Sequence, residues 1–393
     1  MNSDSQAQGR FNFRLILVLT LVHFTGDFYS SFTNPLLPVF VGKLSLSLAQ
    51  VGILTGTIRI LAFIVQPCVG YLADQYQTRA FILAGLVSTV VFLPLSGLAS
   101  GFLPLLGFLA AGSIGSSMFH PSVTGMVPLY SGSRKGLCLS VFNTGGTMAF
   151  ALGPVFIAWF VARYGLEAMP VTMVLGLACI AVCLYAIPMP VSEGFKSTGF
   201  VGSIKHSIGD VWRPISLIWI VMVLRAVTGQ SFMTFMPIWL ARKGYSLISV
   251  GYIVSLFILG GTLSGLTAGY LSDRIGYKKI FMAAHALMAP ALILYLVLPG
   301  QWVYAGAFMA GFFALATLPL GVGMAQILAP RGRSMVSSLM MGLAYGLGGI
   351  TSPVVGYFSD RFSIDTTLMG ITVIPVITLF IIAKFPDIRS TDS

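Results

Sequence analysis

Charge is what this chain has least of. Charged residues make up 8% of its 393, and only eleven are acidic. A soluble domain carries about 25% charged residues. With 56% hydrophobic residues and a mean hydropathy of +0.91, a water-solvated fold is excluded. Cysteine is scarce too. Cys68, Cys138, Cys179 and Cys183 all sit in apolar stretches, which excludes a disulfide framework. Cys179 and Cys183 lack the His or carboxylate company that a metal site wants, so they read as reduced thiols and no metal is expected. The chain has no Walker loop, no paired catalytic carboxylates and no His-rich metal motif. That excludes an enzyme of a familiar kind and an ATP-driven pump, and no cofactor is expected. The alternation of a transmembrane barrel is also missing.

What remains is a series of long apolar runs. Twelve are long enough for a bilayer-spanning helix of about 20 residues. They begin near Leu15, Ala49, Ala80, Phe102, Leu137, Ala168, Pro214, Val250, Ile280, Val303, Met335 and Thr366. The first reads as a retained helix and not as a signal peptide, because it is long, contains ionisable residues and lacks a small-residue cleavage site. The net charge of +11 is dispersed among short loops, so nucleic acid is not an expected partner. With the N-terminus inside, fifteen Lys and Arg fall on the cytoplasmic side and five outside, which predicts cytoplasmic N- and C-termini. Two more, Arg59 and Arg225, lie inside spans.

The chain is written twice. Gly70 to Asp74 (GYLAD) returns as Gly269 to Asp273 (GYLSD), Pro38 as Pro237, Val51-Gly52 as Val250-Gly251, Arg134 as Arg333 and Pro154 as Pro353, all at an offset of 199. Six spans separate each pair, so the two halves share one membrane orientation and form parallel repeats. The expected domains are a six-helix bundle over 1–188, a cytoplasmic linker over 189–213 and a second six-helix bundle over 214–393.

Within this frame the rare charges stand out. His23 and Asp27 lie in the first span, four apart and on one helix face. A carboxylate at membrane depth costs roughly 2.5–3.5 kcal/mol on insertion scales and marks a proton or substrate path by default. His120 precedes Pro121 in span four, where the proline removes a backbone hydrogen bond and invites a kink. These three are the candidates for proton coupling. Arg59 and Arg225 sit near mid-depth of spans two and seven, must meet an anion, a polar cavity or the interface, and favour an anionic or polar substrate. With His120, Asn34, Asn143 and Gln230 they make the expected substrate contacts. His285 reads as a packing residue.

The loops Gly70–Arg79 and Gly269–Lys279 resemble the signature loop of the major facilitator superfamily: a Gly, an Asp four residues on, then basic residues. The resemblance implies a clasp in which Asp74 or Asp273 faces a helix N-terminus while Arg79, Arg274 and Lys278 pair nearby. The first copy has Gln75 and Gln77 where a basic residue and Gly are usual. Span five holds Gly145, Ala149 and Gly153 at four-residue spacing before Pro154; span eleven matches with Ala344, Gly348, Ser352 and Pro353. Small residues so spaced let helices approach closely, and the Gly153-Pro154 pair resembles an antiporter motif of drug exporters. Gly70, Asp74, Arg79, Gly269, Asp273, Arg274, Lys278, Gly153, Pro154 and Pro353 are therefore the expected gating residues.

Within the superfamily the chain resembles the fosmidomycin-resistance exporters. The resemblance is carried by His23 and Asp27, by QPCVGYLADQY (66–76), by GSSMFHP (115–121) and by the stretch from Gly136 to Gly146. It departs from them in having Ser122 after the His-Pro pair, where an acid is usual, and in having Arg59. The resemblance implies a proton-driven exporter with Asp27, His23 and His120 at the matching positions. The expectation is a monomeric twelve-helix antiporter of the bacterial inner membrane, exporting a small anionic or amphiphilic compound. A proton symporter importing an organic anion shares most of these features. A membrane-embedded enzyme or sensor would bind without net flux.

Overall fold

A chain in lipid has no water with which to satisfy its backbone, so long apolar runs close their hydrogen bonds internally as helices. The computed structural model describes residues 11–387 apart from 76–77, 133, 189–208, 330–335 and 337–338, and among these there is no strand. Eleven helical spans among the described residues are long and apolar enough to cross a membrane. The expected span eleven lies partly outside the described residues; its remainder is a π-helical turn at Leu339–Leu343 followed by two helices.

The helices, numbered here in chain order, are α1 Phe13–Ser30, α2 Thr33–Leu44, α3 Leu48–Gln75, α4 Thr78–Leu95, α5 Phe102–Met126, α6 Lys135–Tyr164 and α7 Met173–Ala186. They continue with α8 Trp212–Arg242, α9 Leu247–Ile275, α10 Tyr277–Val297, α11 Trp302–Leu315, α12 Leu318–Leu328, α13 Ala344–Ile350, α14 Ser352–Arg361, α15 Ile364–Ile371 and α16 Val373–Ile382. The first predicted span is thus two helices in line. Pro35 has no N–H to give the carbonyl of Ser31, and the chain turns at Ser31 and Phe32 before α2 begins. Asn12 starts α1 by accepting the N–H of Leu15 at 3.1 Å.

By contacts the chain forms two compact units, residues 1–45 with 61–196, and residues 46–60 with 197–393. In the first, α1 packs along α6, and α4 along α5. Close approach depends on missing side chains. A Cβ on Gly145 would lie 2.6 Å from Thr20 Cγ2, and one on Gly85 2.6 Å from the carbonyl oxygen of Gly115. Tyr29 ties α1 to α7: its hydroxyl accepts the N–H of Gly176 at 2.9 Å and donates to the carbonyl of Thr172.

In the second unit α8 packs on α13, and α9 on α11. A buried apolar core gathers around Met222, Phe281, Met324 and Ile382. The first turn of α3 belongs here and is fully capped. Ser47 and Gln50 form a reciprocal capping box, with Ser47 N to Gln50 Oε1 at 2.9 Å and Gln50 N to Ser47 Oγ at 3.1 Å. Asp360, in the last turn of α14, accepts the next two N–H groups, Leu48 at 2.9 Å and Ala49 at 2.8 Å. Between α9 and α10 the chain turns at Gly276, whose φ of 92° explains the glycine in the second signature loop.

Candidate functional site

Two backbone carbonyls set the geometry of the site. His23 Nδ1 lies 3.0 Å from the carbonyl oxygen of Phe142 on α6, and His120 Nδ1 lies 2.7 Å from that of Ser116, one turn earlier on α5. A carbonyl only accepts, so each Nδ1 carries the hydrogen and each Nε2 is aimed elsewhere. Both Nε2 atoms reach Asp27. His23 Nε2 is 3.1 Å from Oδ2, and His120 Nε2 is 2.8 Å from Oδ1. Asp27 is 3% exposed and His23 8%, inside the first unit. The carboxylate expected at membrane depth is therefore wedged between two imidazoles contributed by different helices.

The surroundings hold the rings still. His23 stacks on Phe142 with centroids 4.2 Å apart, and His120 stacks on Phe119 at the same separation. Ser30 Oγ donates to the Gly26 carbonyl at 2.8 Å and lies 3.2 Å from Ser116 Oγ. Gly146, within the stretch from Gly136 to Gly146, is a position where a side chain would not fit. A Cβ there would lie 2.6 Å from Asp27 Oδ2 and 2.7 Å from His23 Nε2. The Gly145-Gly146 doublet thus has two jobs on one helix: Gly145 admits α1, and Gly146 makes room for the carboxylate.

Chemically, the cluster is able to take up protons. With both rings neutral, two nitrogen lone pairs face a carboxylate, and each contact needs a proton to become a hydrogen bond. One proton satisfies one contact; two satisfy both. At the offset of 199, His23, Asp27 and His120 correspond to Met222, Ala226 and Pro319, so the fold is built without them in the other half.

The arginines lie in the second unit. Arg59 stacks over the ring of Tyr345, 4.9 Å from its centroid, a cation–π partner that no sequence pattern marks. Arg225 on α8 is 2% exposed, and among the described residues its Nε and Nη1 make no hydrogen bond. Of the remaining expected contacts, Gln230 is buried on α8, Asn34 is half-buried on α2, and Asn143 is exposed on α6. His285 is fully buried, donates Nδ1 to the Phe281 carbonyl at 3.0 Å and stacks on that ring, the arrangement of a packing residue.

Among the expected gating residues, Gly70 lies in α3, and the side chains of Asp74 and Asp273 are outside what the structure describes. Arg79 donates to the carbonyl of Leu184, bracing α4 against the end of α7, and Arg274 lies over the ring of Tyr270 at 4.3 Å. Gly153 meets Ser31 and the Phe28 carbonyl, so the small-residue row of α6 faces α1. In the second unit Gly348 of α13 faces Ala226 of α8 in the same way, with a Cβ there only 2.6 Å from that of Ala226.

Comparison with known proteins agrees with this architecture. The family model described as Major Facilitator Superfamily matches residues 19–353. The fosmidomycin resistance protein of Escherichia coli (strain K12) is 25% identical, with 99% of this chain and 96% of that protein aligned. YfnC, an uncharacterised MFS-type transporter of Bacillus subtilis (strain 168), is 23% identical over 95% of this chain and 93% of its own length. Among solved structures, a bacterial homolog of the human lysosomal transporter Spinster superimposes with a TM-score of 0.78 at 16% identity, covering 95% of this chain and 97% of that one. The chain is a multi-pass membrane transporter and a member of the Major Facilitator Superfamily.

Proposed function

We propose that this transporter is a proton-coupled antiporter that exports a small anionic or amphiphilic compound by alternating access. It works in a bacterial inner membrane with both termini in the cytoplasm, as the distribution of Lys and Arg supports. The observation that carries the reading is Asp27, buried with an imidazole nitrogen on each oxygen, in one repeat and not in its twin. A structural ion pair would not need two fixed rings, each contact of which is completed only by a proton. Protons enter this cluster as substrate leaves, and the two occupancies compete.

Arg225 supports the anionic class of cargo. A buried guanidinium with unmet donors is costly unless an anion visits it, and it cannot discharge by losing its proton. The fosmidomycin resistance protein among the relatives is consistent with such a cargo. The test uses inside-out vesicles with an acid lumen and a panel of fosmidomycin, other organic acids and cationic dyes. Antiport accumulates the substrate in the lumen as protons leave; symport drains it. Transport confined to the cationic dyes would contradict the argument from Arg225.

A further inference from the structure

The proton cluster also has the makings of a metal site. One donor atom each from His23, Asp27 and His120 lies within 4.8 Å of the others. The two nitrogens are the right ones. Each ring spends its Nδ1 hydrogen on a backbone carbonyl, at 3.0 Å for His23 and 2.7 Å for His120, which leaves Nε2 as the free lone pair. Fixing the far ring nitrogen on a carbonyl or carboxylate is the usual support of a metal-bound histidine. Stacking on Phe142 and Phe119 holds both ring planes, and Gly146 keeps the volume beside Asp27 Oδ2 free of a side chain. Access is through His120, whose side chain is 27% exposed while that of Asp27 is 4% exposed.

We propose that His23 Nε2, His120 Nε2 and a carboxylate oxygen of Asp27 bind one divalent transition-metal ion, Zn²⁺ or Co²⁺ in class, in place of the protons. Two imidazoles and a carboxylate suit these ions. Mg²⁺ and Ca²⁺ prefer an all-oxygen shell and are not taken. Binding itself depends only on the three side chains.

The experiment titrates Co²⁺ into tag-free, detergent-purified full chain and follows the visible d–d absorption of the bound ion. One saturable Co²⁺ per chain is expected, displaced by Zn²⁺ and untouched by Mg²⁺. His23→Gln and His120→Gln should each weaken binding by about tenfold or more, while His206→Gln in the linker should leave it unchanged. Absence of a saturable band, or a band that survives in the double variant His23→Gln/His120→Gln, overturns the site. If the variants fail to fold, X-ray absorption at the cobalt edge of the parent chain decides: two imidazoles in the shell support the proposal, and none overturns it. Proton flux measured with metal chelated tests the coupling reading separately, so the two ideas fail by different readouts.

Discussion

At the scale of residues, the site is a problem of protons and room. Asp27 could be read from the sequence because an acid among apolar residues is rare, and His23 because four residues place it on the same face. His120 lies 93 positions away from Asp27, so its contact depends on how α5 packs against α1, which no local pattern encodes. Gly146 was hidden for the opposite reason: its contribution is the absence of a side chain. Gly146→Ala is expected to push the Asp27 carboxylate or the His23 ring aside and to cut transport at least tenfold, with little change in thermal unfolding. Vesicle transport and melting of the purified variant check this together; normal transport would show that the volume beside Asp27 is not needed. Arg225 gives a complementary expectation. Arg225→Gln removes a buried charge with unmet donors, so substrate affinity should fall about tenfold or more while stability holds or rises. Binding that survives while stability falls would make Arg225 a structural residue.

At the scale of elements, prolines and small residues decide more than apolar length does. The first span was legible as a single run, yet Pro35 and the turn at Ser31 divide it into α1 and α2. The row of Gly145, Ala149 and Gly153 was legible as a close-packing face. Its partner was not, because spacing says that a helix is near and not which one; in the structure it is α1. Helix starts were hidden as well. Ser47 and Gln50 form a capping box that the sequence spells out, but the two N–H groups beside it are taken by Asp360, more than three hundred residues downstream. Replacing Asp360 with Asn keeps the shape but removes one of the two acceptor oxygens and the charge that favours the helix N-terminus, the charge being worth about 0.3–1 kcal/mol; Asp360→Ala removes the cap, worth about 0.5–2 kcal/mol. Thermal unfolding in detergent should therefore rank the parent above Asp360→Asn and that above Asp360→Ala. Equal melting of all three would mean that water caps α3 as well as Asp360 does.

At the scale of the whole molecule, the repeat carries the argument. Its offset was visible in loops and prolines, the parts of a sequence that tolerate little change in backbone geometry, and so the membrane fold could be read before any contact was known. The same offset shows where function departs from scaffold. Met222, Ala226 and Pro319 occupy the positions of His23, Asp27 and His120, so at these three positions one half has apolar groups where the other spends ionisable ones. Nothing in bilayer packing demands that expense, and the proton coupling proposed above would account for it. The measurement closest to this claim is substrate-dependent proton movement in vesicles reconstituted with Asp27→Asn, followed by a pH-sensitive dye beside the parent chain. The amide keeps the shape of the carboxyl and cannot exchange a proton, so substrate should move without accompanying protons or not at all. Proton movement equal to that of the parent, at the same substrate flux, would contradict the account.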